Sequence, residues 1–596
     1  MANGQWLEEP GDIRNHIESY FREVFRSRNP SEDELERGTE AISERVTEQM
    51  RQEILKPYTA DEVTTALSQM APLKSPGPDG MLPFFFQTYW HIVKNDVVSN
   101  TLLLLNNLIL PSDLNHTNIV LIPKCKNPET LSYFHPISLC NVAYKIASKT
   151  IANRLKPLLD AIISPSQAAF VPGRLITDNV LLAFEVNHYL KTKRWGTKGH
   201  MALKLDISKA YDKVEWNFLQ KVLVRLEAFS ALLQQAEQRG NLQGVAVCRQ
   251  APRVSHLLFA DDTLIFCQAS GILEVLTTFG RAAGQEINFE KSSVVFSTNT
   301  AASLKVEIQR VLQVRVEARH DLYLGLPSVV GKSRRSVFQS IRDRIWRRIS
   351  GWNERTLSQA GKEVLIKAVA QAIPTYAMGC FRLPVSLIKE IQSMISNFWW
   401  HNGEARNIHW ISWHRLYTPK ARGGLGFRDL QAFNLAMLSK QIWRIITNPS
   451  SLLSSVLRAR YFPHGQILTA VPGRNTSYPW RSILAAQQVV HGGFRWHVGS
   501  GRSIQIWDDP WIPRPSTFRV LTPNEGDVAQ WRVCDLIVPE TKEWNYPLVR
   551  EILWPVDADL ILALPLSAID GEDLLPGTTP QMANSPCGVL TTLLSL

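Results

Sequence analysis

Asp261 and Asp262 sit side by side in the run Ser255-His256-Leu257-Leu258-Phe259-Ala260-Asp261-Asp262-Thr263-Leu264-Ile265-Phe266-Cys267. Short stretches rich in apolar and β-forming residues flank the pair, which reads as strand, tight turn, strand, with the acids at the turn. Adjacent carboxylates beside apolar strands repel one another and resist desolvation. A hard divalent cation such as Mg²⁺ takes carboxylate oxygens and relieves both penalties. Taken alone, the window reads equally as a solvated surface turn, where Asp is common. A third acid, Asp206, closes the apolar run Ala202-Leu203-Lys204-Leu205 and precedes an expected helix. An acid at a strand end beside an acid pair at a hairpin tip is the set that two-metal phosphoryl transfer needs. Two cations about 4 Å apart activate the attacking oxygen and stabilise the leaving group.

The elements that must position these acids carry motifs of their own. Thr59-Ala60-Asp61-Glu62-Val63 has the signature of a helix start. Lys74-Ser75-Pro76-Gly77-Pro78-Asp79-Gly80 is a rigid Pro/Gly turn. Asn118-Ile119-Val120-Leu121-Ile122-Pro123-Lys124 is an expected strand ending in a lysine, followed by Tyr133-Phe134-His135-Pro136-Ile137-Ser138-Leu139. The segment from Ser166-Gln167-Ala168-Ala169-Phe170 to Arg174 and Asn179 is an expected loop leading into a helix over Val180 to Tyr189. Gly284 to Ser292 reads as turn, strand and the lysine Lys291, and Tyr323-Leu324-Gly325-Leu326-Pro327 as a hairpin. With these motifs in this order, the chain resembles the reverse transcriptases of plant non-LTR (LINE-type) retrotransposons from roughly Glu53 to Pro513.

The resemblance implies an α/β (α+β) right-hand polymerase fold: fingers, a palm with a small antiparallel sheet, a helical thumb, then a helical Trp-rich C-terminal region. The expected divisions are a helical linker over 1–56, fingers and palm over 57–300, a basic thumb-like region over 301–400, a Trp-rich region over 401–565 and a disordered tail over 566–596. It implies catalytic and metal-binding roles for Asp206, Asp261 and Asp262, helped by the backbone carbonyl of Ile207. The implied cofactor is Mg²⁺, with Mn²⁺ as a substitute, and the implied partners are an RNA template, a DNA primer and deoxynucleoside triphosphates. Lys124, His135, Arg174, Tyr211 and Lys291 fall where the family binds the nucleotide, and Tyr323, Leu324 and Gly325 where it grips the primer. Three have an ordinary alternative: surface charge for Arg174 and Lys291, plain core for Tyr211. His135 departs from the family's arginine, and a neutral imidazole offers neither permanent charge nor a bidentate fork, so weaker nucleotide binding is expected.

A second departure lies between Leu226 and Glu227. There the family places a long segment with the motif Gln-Gly-Asp-Pro-Leu-Ser-Pro, which supports the template and the base; it does not occur in the 596 residues. Asp206 and Asp261 are consequently only 55 positions apart. Leu219, Val222, Leu226, Phe229, Leu233 and Ala236 recur at helical spacing, so one continuous amphipathic helix is expected across the junction, ended by Arg239-Gly240-Asn241. Gly244 to Cys248 is then an expected strand. The metal site survives this arrangement while the template support does not, so little polymerisation is expected, with a binding-only remnant as the alternative. The family's endonuclease, zinc-finger-like and RNase H-like regions are not read in this sequence.

Composition is that of an ordinary globular protein, with 45% hydrophobic and 20% charged residues. A net charge of +11 suits a polyanionic partner and equally serves solubility. Arg334, Arg335, Arg342, Arg344, Arg347 and Arg348, interleaved with Trp346 and Trp352, suit a phosphate backbone or a solvated helix face. The dense tryptophans from Trp399 to Trp511 are expected mostly in cores. Seven scattered cysteines without zinc spacing, no signal-peptide pattern and no apolar run long enough for a bilayer point to an intracellular, nuclear or cytoplasmic protein rather than a secreted or membrane one.

Overall fold

A computed structural model describes residues 6–566 and 573, apart from 43–44, 109–110, 209–210, 226–227, 269–271, 318–319, 321, 332, 353–356, 401–407, 494, 515–517 and 525–530. Contacts divide the chain into two compact units. The first holds 1–176, 193–245 and 254–318; the second holds 177–192, 246–253 and 319–596. Residues 301–318, expected with the thumb-like region, therefore belong to the unit that carries the acids.

In the first unit the helices that matter are α1 (Ala60–Ser68), α2 (Trp90–Asn107), α3 (Val142–Leu155), α4 (Trp216–Arg225), α5 (Ala228–Gln238), α6 (Ile272–Ala283) and α7 (Ala302–Leu312). The strands are β1 (Asn118–Pro123), β2 (Phe134–Leu139), β3 (Met201–Leu205), β4 (Ile207–Ser208), β5 (His256–Phe259), β6 (Asp262–Cys267), β7 (Glu286–Ile287), β8 (Ser293–Phe296) and β9 (Arg315–Val316). Thr59 caps α1 in a reciprocal capping box with Glu62, as its sequence indicates. Val63, Ala66, Leu67, Val98, Val142 and Ile146 knit α1, α2 and α3 into one core, beside which β1 and β2 form a separate hairpin.

The sheet that carries the acids follows from strand periodicity. Successive side chains take opposite faces, so Met201, Leu203 and Leu205 share one core with Ile265, Cys267 and Val294. Lys204 falls on the other face. Strand order is β5-β6-β3-β8-β9. The first four strands are antiparallel, as expected, but β9 joins β8 in parallel. A parallel pair needs a crossover, and α7 supplies it.

Two expectations around this sheet change. The helix expected after Asp206 starts only at Trp216. The carboxylate of buried Glu215 instead accepts hydrogen bonds from Ser27 Oγ at 2.6 Å and from the Arg28 amide at 2.7 Å, tying the N-terminal stretch to this loop. The strand expected over Gly244 to Cys248 shrinks to a single bridge between Val245 and Val254. In that register Pro252, which lacks an N–H, would face Val247 and cannot extend the ladder. The junction Leu226–Glu227 lies outside the described residues; α4 and α5 stand on either side of it. Gly240, with φ +79°, follows α5 as expected.

The N-terminal helix Glu32–Thr39 packs on α4, α5 and α6 through Leu35, Phe218, Ala231 and Ala282. A Cβ at Gly38 would come within 2.3 Å of the Ala282 side chain, so only glycine allows this approach.

In the second unit, helix Ile176–Thr192 is anchored by two of its own carboxylates. Asp178 accepts from Arg444 at 2.8 Å, and Glu185 accepts from Tyr461 at 2.7 Å. The basic helix Gln339–Ser350 spends Arg342 on Glu390 at 2.9 Å. Trp480 and Trp511 are fully buried, in line with the core expectation, whereas Trp410 is exposed. The C-terminal region is not helical throughout. The described residues from Trp496 to Trp544 form turns, a short 3₁₀ helix (Val533–Leu536) and one small strand pair around the core of Ile504, Ile506, Trp511 and Leu536. Gly499, Gly501, Pro510 and Pro513 punctuate that stretch and disfavour helix. The expected tail lies almost wholly outside the described residues.

Candidate functional site

Leu205 pairs with Thr263, the last registered pair between β3 and β6. Asp206 directly follows that pair on β3, and Asp262 directly precedes it on β6. Phe259 pairs with Asp262, leaving Ala260-Asp261 as a two-residue hairpin loop. Ala260 holds φ +54°, a left-handed conformation that costs a non-glycine residue roughly 1–2 kcal/mol. The sequence therefore brings Asp206, Asp261 and Asp262 to one end of one sheet.

The backbone of Asp206 is pinned from both sides. Its N–H donates to Ser292 Oγ at 3.1 Å, and its carbonyl accepts from the Asn288 amide at 2.8 Å. Ser292 Oγ in turn donates to the Asn288 carbonyl at 2.7 Å. Neither residue stood out in the sequence, because a turn that holds a distant backbone leaves no local pattern.

Burial pushes the carboxyl of half-buried Asp262 above its ordinary range; Lys204 counteracts this, and the charges of Asp261 and Asp206 add to the rise. Asp262 thus feels the charge of both other acids. Among the described residues, however, no three His, Cys, Asp or Glu side chains stand close enough to enclose a metal ion. The donors suit a hard cation by their chemistry, and their mutual repulsion is what such a charge would relieve. A cation would have to draw them together.

A cleft of about 1050 Å³ opens at this end of the sheet. Asp206, Ile207 and Asp261 line it on the acidic side, and Lys124, His135 and Lys291 on the basic side. Lys124 follows β1, with its amide donating to the Tyr133 carbonyl at 2.7 Å. His135 lies in β2 opposite Ile122. Lys291 Nζ stands 4.0 Å from an Asp206 oxygen. Tyr211 also lines the cleft and is 94% exposed, which removes the plain-core alternative. Lys213 lines it too, but its ammonium is engaged by Glu286.

Not every candidate joins this group. Arg174 does not line the cleft: its guanidinium is spent on the Gln167 carbonyl at 2.7 Å, the Ile163 carbonyl at 2.9 Å and the Asp160 carboxylate at 2.9 Å. It shapes its own loop. Tyr323, Leu324 and Gly325 lie in the second unit, in a hairpin closed by Leu324 (φ 49°) and Gly325 (φ 76°). Tyr376 donates to the Leu324 carbonyl at 3.0 Å. One cleft residue the sequence did not single out is Phe170.

Comparison with known proteins places this stretch of the chain in a family. A family model described as reverse transcriptase (RNA-dependent DNA polymerase) matches residues 122–327, a span that includes all three acids. An uncharacterised mitochondrial protein of Arabidopsis thaliana is 45% identical over 143 residues, which is 24% of this chain and 93% of that protein. The transposon TX1 uncharacterised 149 kDa protein of Xenopus laevis is 26% identical over 509 residues, 74% of this chain and 37% of that protein. A retrovirus-related Pol polyprotein from the type-1 retrotransposable element R2 of Nasonia vitripennis is 25% identical over 170 residues, 28% of this chain and 16% of that polyprotein. The chain thus spans well under half the length of these two transposon relatives.

Proposed function

The chain belongs to the reverse transcriptases of LINE-type retrotransposons, and on that premise we propose that its cleft is an RNA-directed DNA polymerase site with impaired turnover. The observation that carries the reading is the single cleft lined by Asp206 and Asp261 on one side and by Lys124, His135 and Lys291 on the other. A deoxynucleoside triphosphate needs both: carboxylates to share cations with its phosphates, and cations to meet the remaining charge. Asp206, Asp261 and Asp262 would hold Mg²⁺ or Mn²⁺, which supplies Lewis acidity at the primer 3′-hydroxyl and charge neutralisation at the departing pyrophosphate. Lys124 and Lys291 orient the triphosphate, and His135 contributes positive charge only when protonated. Tyr211, exposed beside Asp206, would sit against the sugar. The β1–β2 hairpin would act as fingers, the five-stranded sheet with α4, α5 and α6 as palm, and the basic helices after Arg334 as thumb, with the Tyr323-Leu324-Gly325 hairpin on the primer.

Impairment follows from the sequence between α4 and α5. Phosphoryl transfer depends on positioning, and the family's template-supporting motif has no counterpart here. Helix α5 nevertheless packs firmly, with Leu232, Leu233 and Ala236 in the core beneath β3. Primer extension on an RNA template with Mg²⁺ or Mn²⁺ tests the reading. Binding of primer–template and nucleotide with little extension is expected; processive synthesis would overturn the impairment, and absence of all nucleotide and nucleic-acid binding would overturn the site.

A further inference from the structure

We propose that Phe170 is a stacking platform for an unpaired base of the template strand in the cleft, an inference that rests on the nucleic-acid reading above. Phe170 combines three features. Its ring is 87% exposed. Its backbone holds φ +64°, where a bulky residue is a rare outlier. It lines the same cleft as Asp206 and Asp261. A lone exposed aromatic needs no explanation, but here the fold accepts a strained conformation and still leaves the ring in water. Strain of that kind persists only where the surroundings over-determine it.

The surroundings do so. Ala168, Ala169 and Val171, the neighbours of Phe170, are buried, so the loop turns its small and branched side chains inward and only the ring outward. The Ser166 carbonyl accepts from the Leu258 amide at 2.8 Å, and the Ala168 amide donates to the Leu258 carbonyl at 3.1 Å. These bonds fasten the loop to β5, the strand that leads into Ala260 and Asp261. Arg174 braces the same loop through the carbonyls of Ile163, Ser164 and Gln167. Its guanidinium therefore serves the loop that presents Phe170 rather than a phosphate.

A phenyl ring has no hydrogen-bonding group with which to read a base edge, but every base has a face on which it can stack. The platform should therefore be indifferent to base identity. The rigid link to β5 keeps the ring in register with the acids, which suits a base adjacent to the reacting position.

The test uses the full chain and an RNA template annealed to a DNA primer, leaving several template nucleotides unpaired and 2-aminopurine at the first of them. Phe170→Ala should weaken binding of this overhang duplex about tenfold or more, abolish the change in 2-aminopurine fluorescence and leave blunt-duplex binding and thermal stability unchanged. Phe170→Trp should retain affinity, whatever the base. Equal affinity and equal fluorescence for wild type and Phe170→Ala would overturn the proposal. Failure of the wild type to bind either duplex would instead remove the reading of the cleft, and this inference with it.

Discussion

Ser230 Oγ and His256 Nε2 lie 2.6 Å apart in a hydrogen bond buried between α5 and β5. The bond matters because α5 is the first element after the Leu226–Glu227 junction, and β5 runs straight to Ala260 and the paired acids. The other ring nitrogen, Nδ1, lies 3.1 Å from Ser255 Oγ. The shortened connection is thus built into the strand that positions the candidate site.

Burial pulls the His256 imidazole down from 6.5 to about 4. The unfolded chain therefore binds a proton that the folded chain refuses between those values. Stability is complete above about 6.5 and is lost as pH falls towards 4, by at most about 3 kcal/mol from this group. Urea unfolding between pH 4 and 7 should show this slope, and His256→Gln should flatten it. Ser230→Ala should cost roughly 1–3 kcal/mol at neutral pH by leaving a buried imidazole nitrogen unpaired.

Asp262 has the opposite dependence. Its carboxyl is raised by burial and by its acidic neighbours, so the folded state holds the proton more tightly than the unfolded one. The ionised group destabilises the fold above its raised value, and that penalty fades as pH falls towards the ordinary value of 3.8. Asp262→Asn should therefore raise the melting temperature at neutral pH. The variant's advantage should vanish in acid, and Mg²⁺ or Mn²⁺ should raise the melting temperature of the wild type more than that of the variant.

Much of this site was legible beforehand for one reason: strand alternation and turn chemistry are local. The hairpin around Ala260-Asp261, the strand before Asp206 and the capping box at Thr59 all appear where their residues indicate. Arg174 shows the limit. Its type and position suit a phosphate, yet loop carbonyls claim it, and no sequence pattern announces which acceptors will surround a guanidinium. The late start of α4 has the same origin, since Glu215 is held by Ser27 and Arg28, nearly two hundred residues away in the chain. The parallel edge strand β9 was hidden because its two residues are too few to show a period.

Ser292→Ala removes the hydroxyl that accepts from the Asp206 amide and donates to the Asn288 carbonyl. It should cost about 1 kcal/mol of stability. It should also weaken divalent-cation affinity several-fold, because the Asp206 backbone is no longer fixed. Calorimetric titration with Mn²⁺ checks the second effect, and an unchanged affinity would show that Asp206 is positioned without Ser292.

His135→Arg places a permanent charge and a fork in the cleft. Deoxynucleotide affinity at pH 8 should rise roughly tenfold, in keeping with charge-assisted hydrogen bonds to phosphate. Equilibrium binding of a fluorescent deoxynucleoside triphosphate to the wild type and the variant measures the effect, and equal affinities would show that His135 does not face the phosphates.

The central claim is that Asp206, Asp261 and Asp262 close around divalent cations when a nucleotide fills the cleft. Electron paramagnetic resonance of Mn²⁺ counts ions bound to the full chain with a deoxynucleoside triphosphate and primer–template present. The account predicts protein-dependent Mn²⁺ binding that Asp206→Asn and Asp261→Asn each abolish without unfolding the chain. Equal Mn²⁺ binding by the wild type and both variants would contradict it.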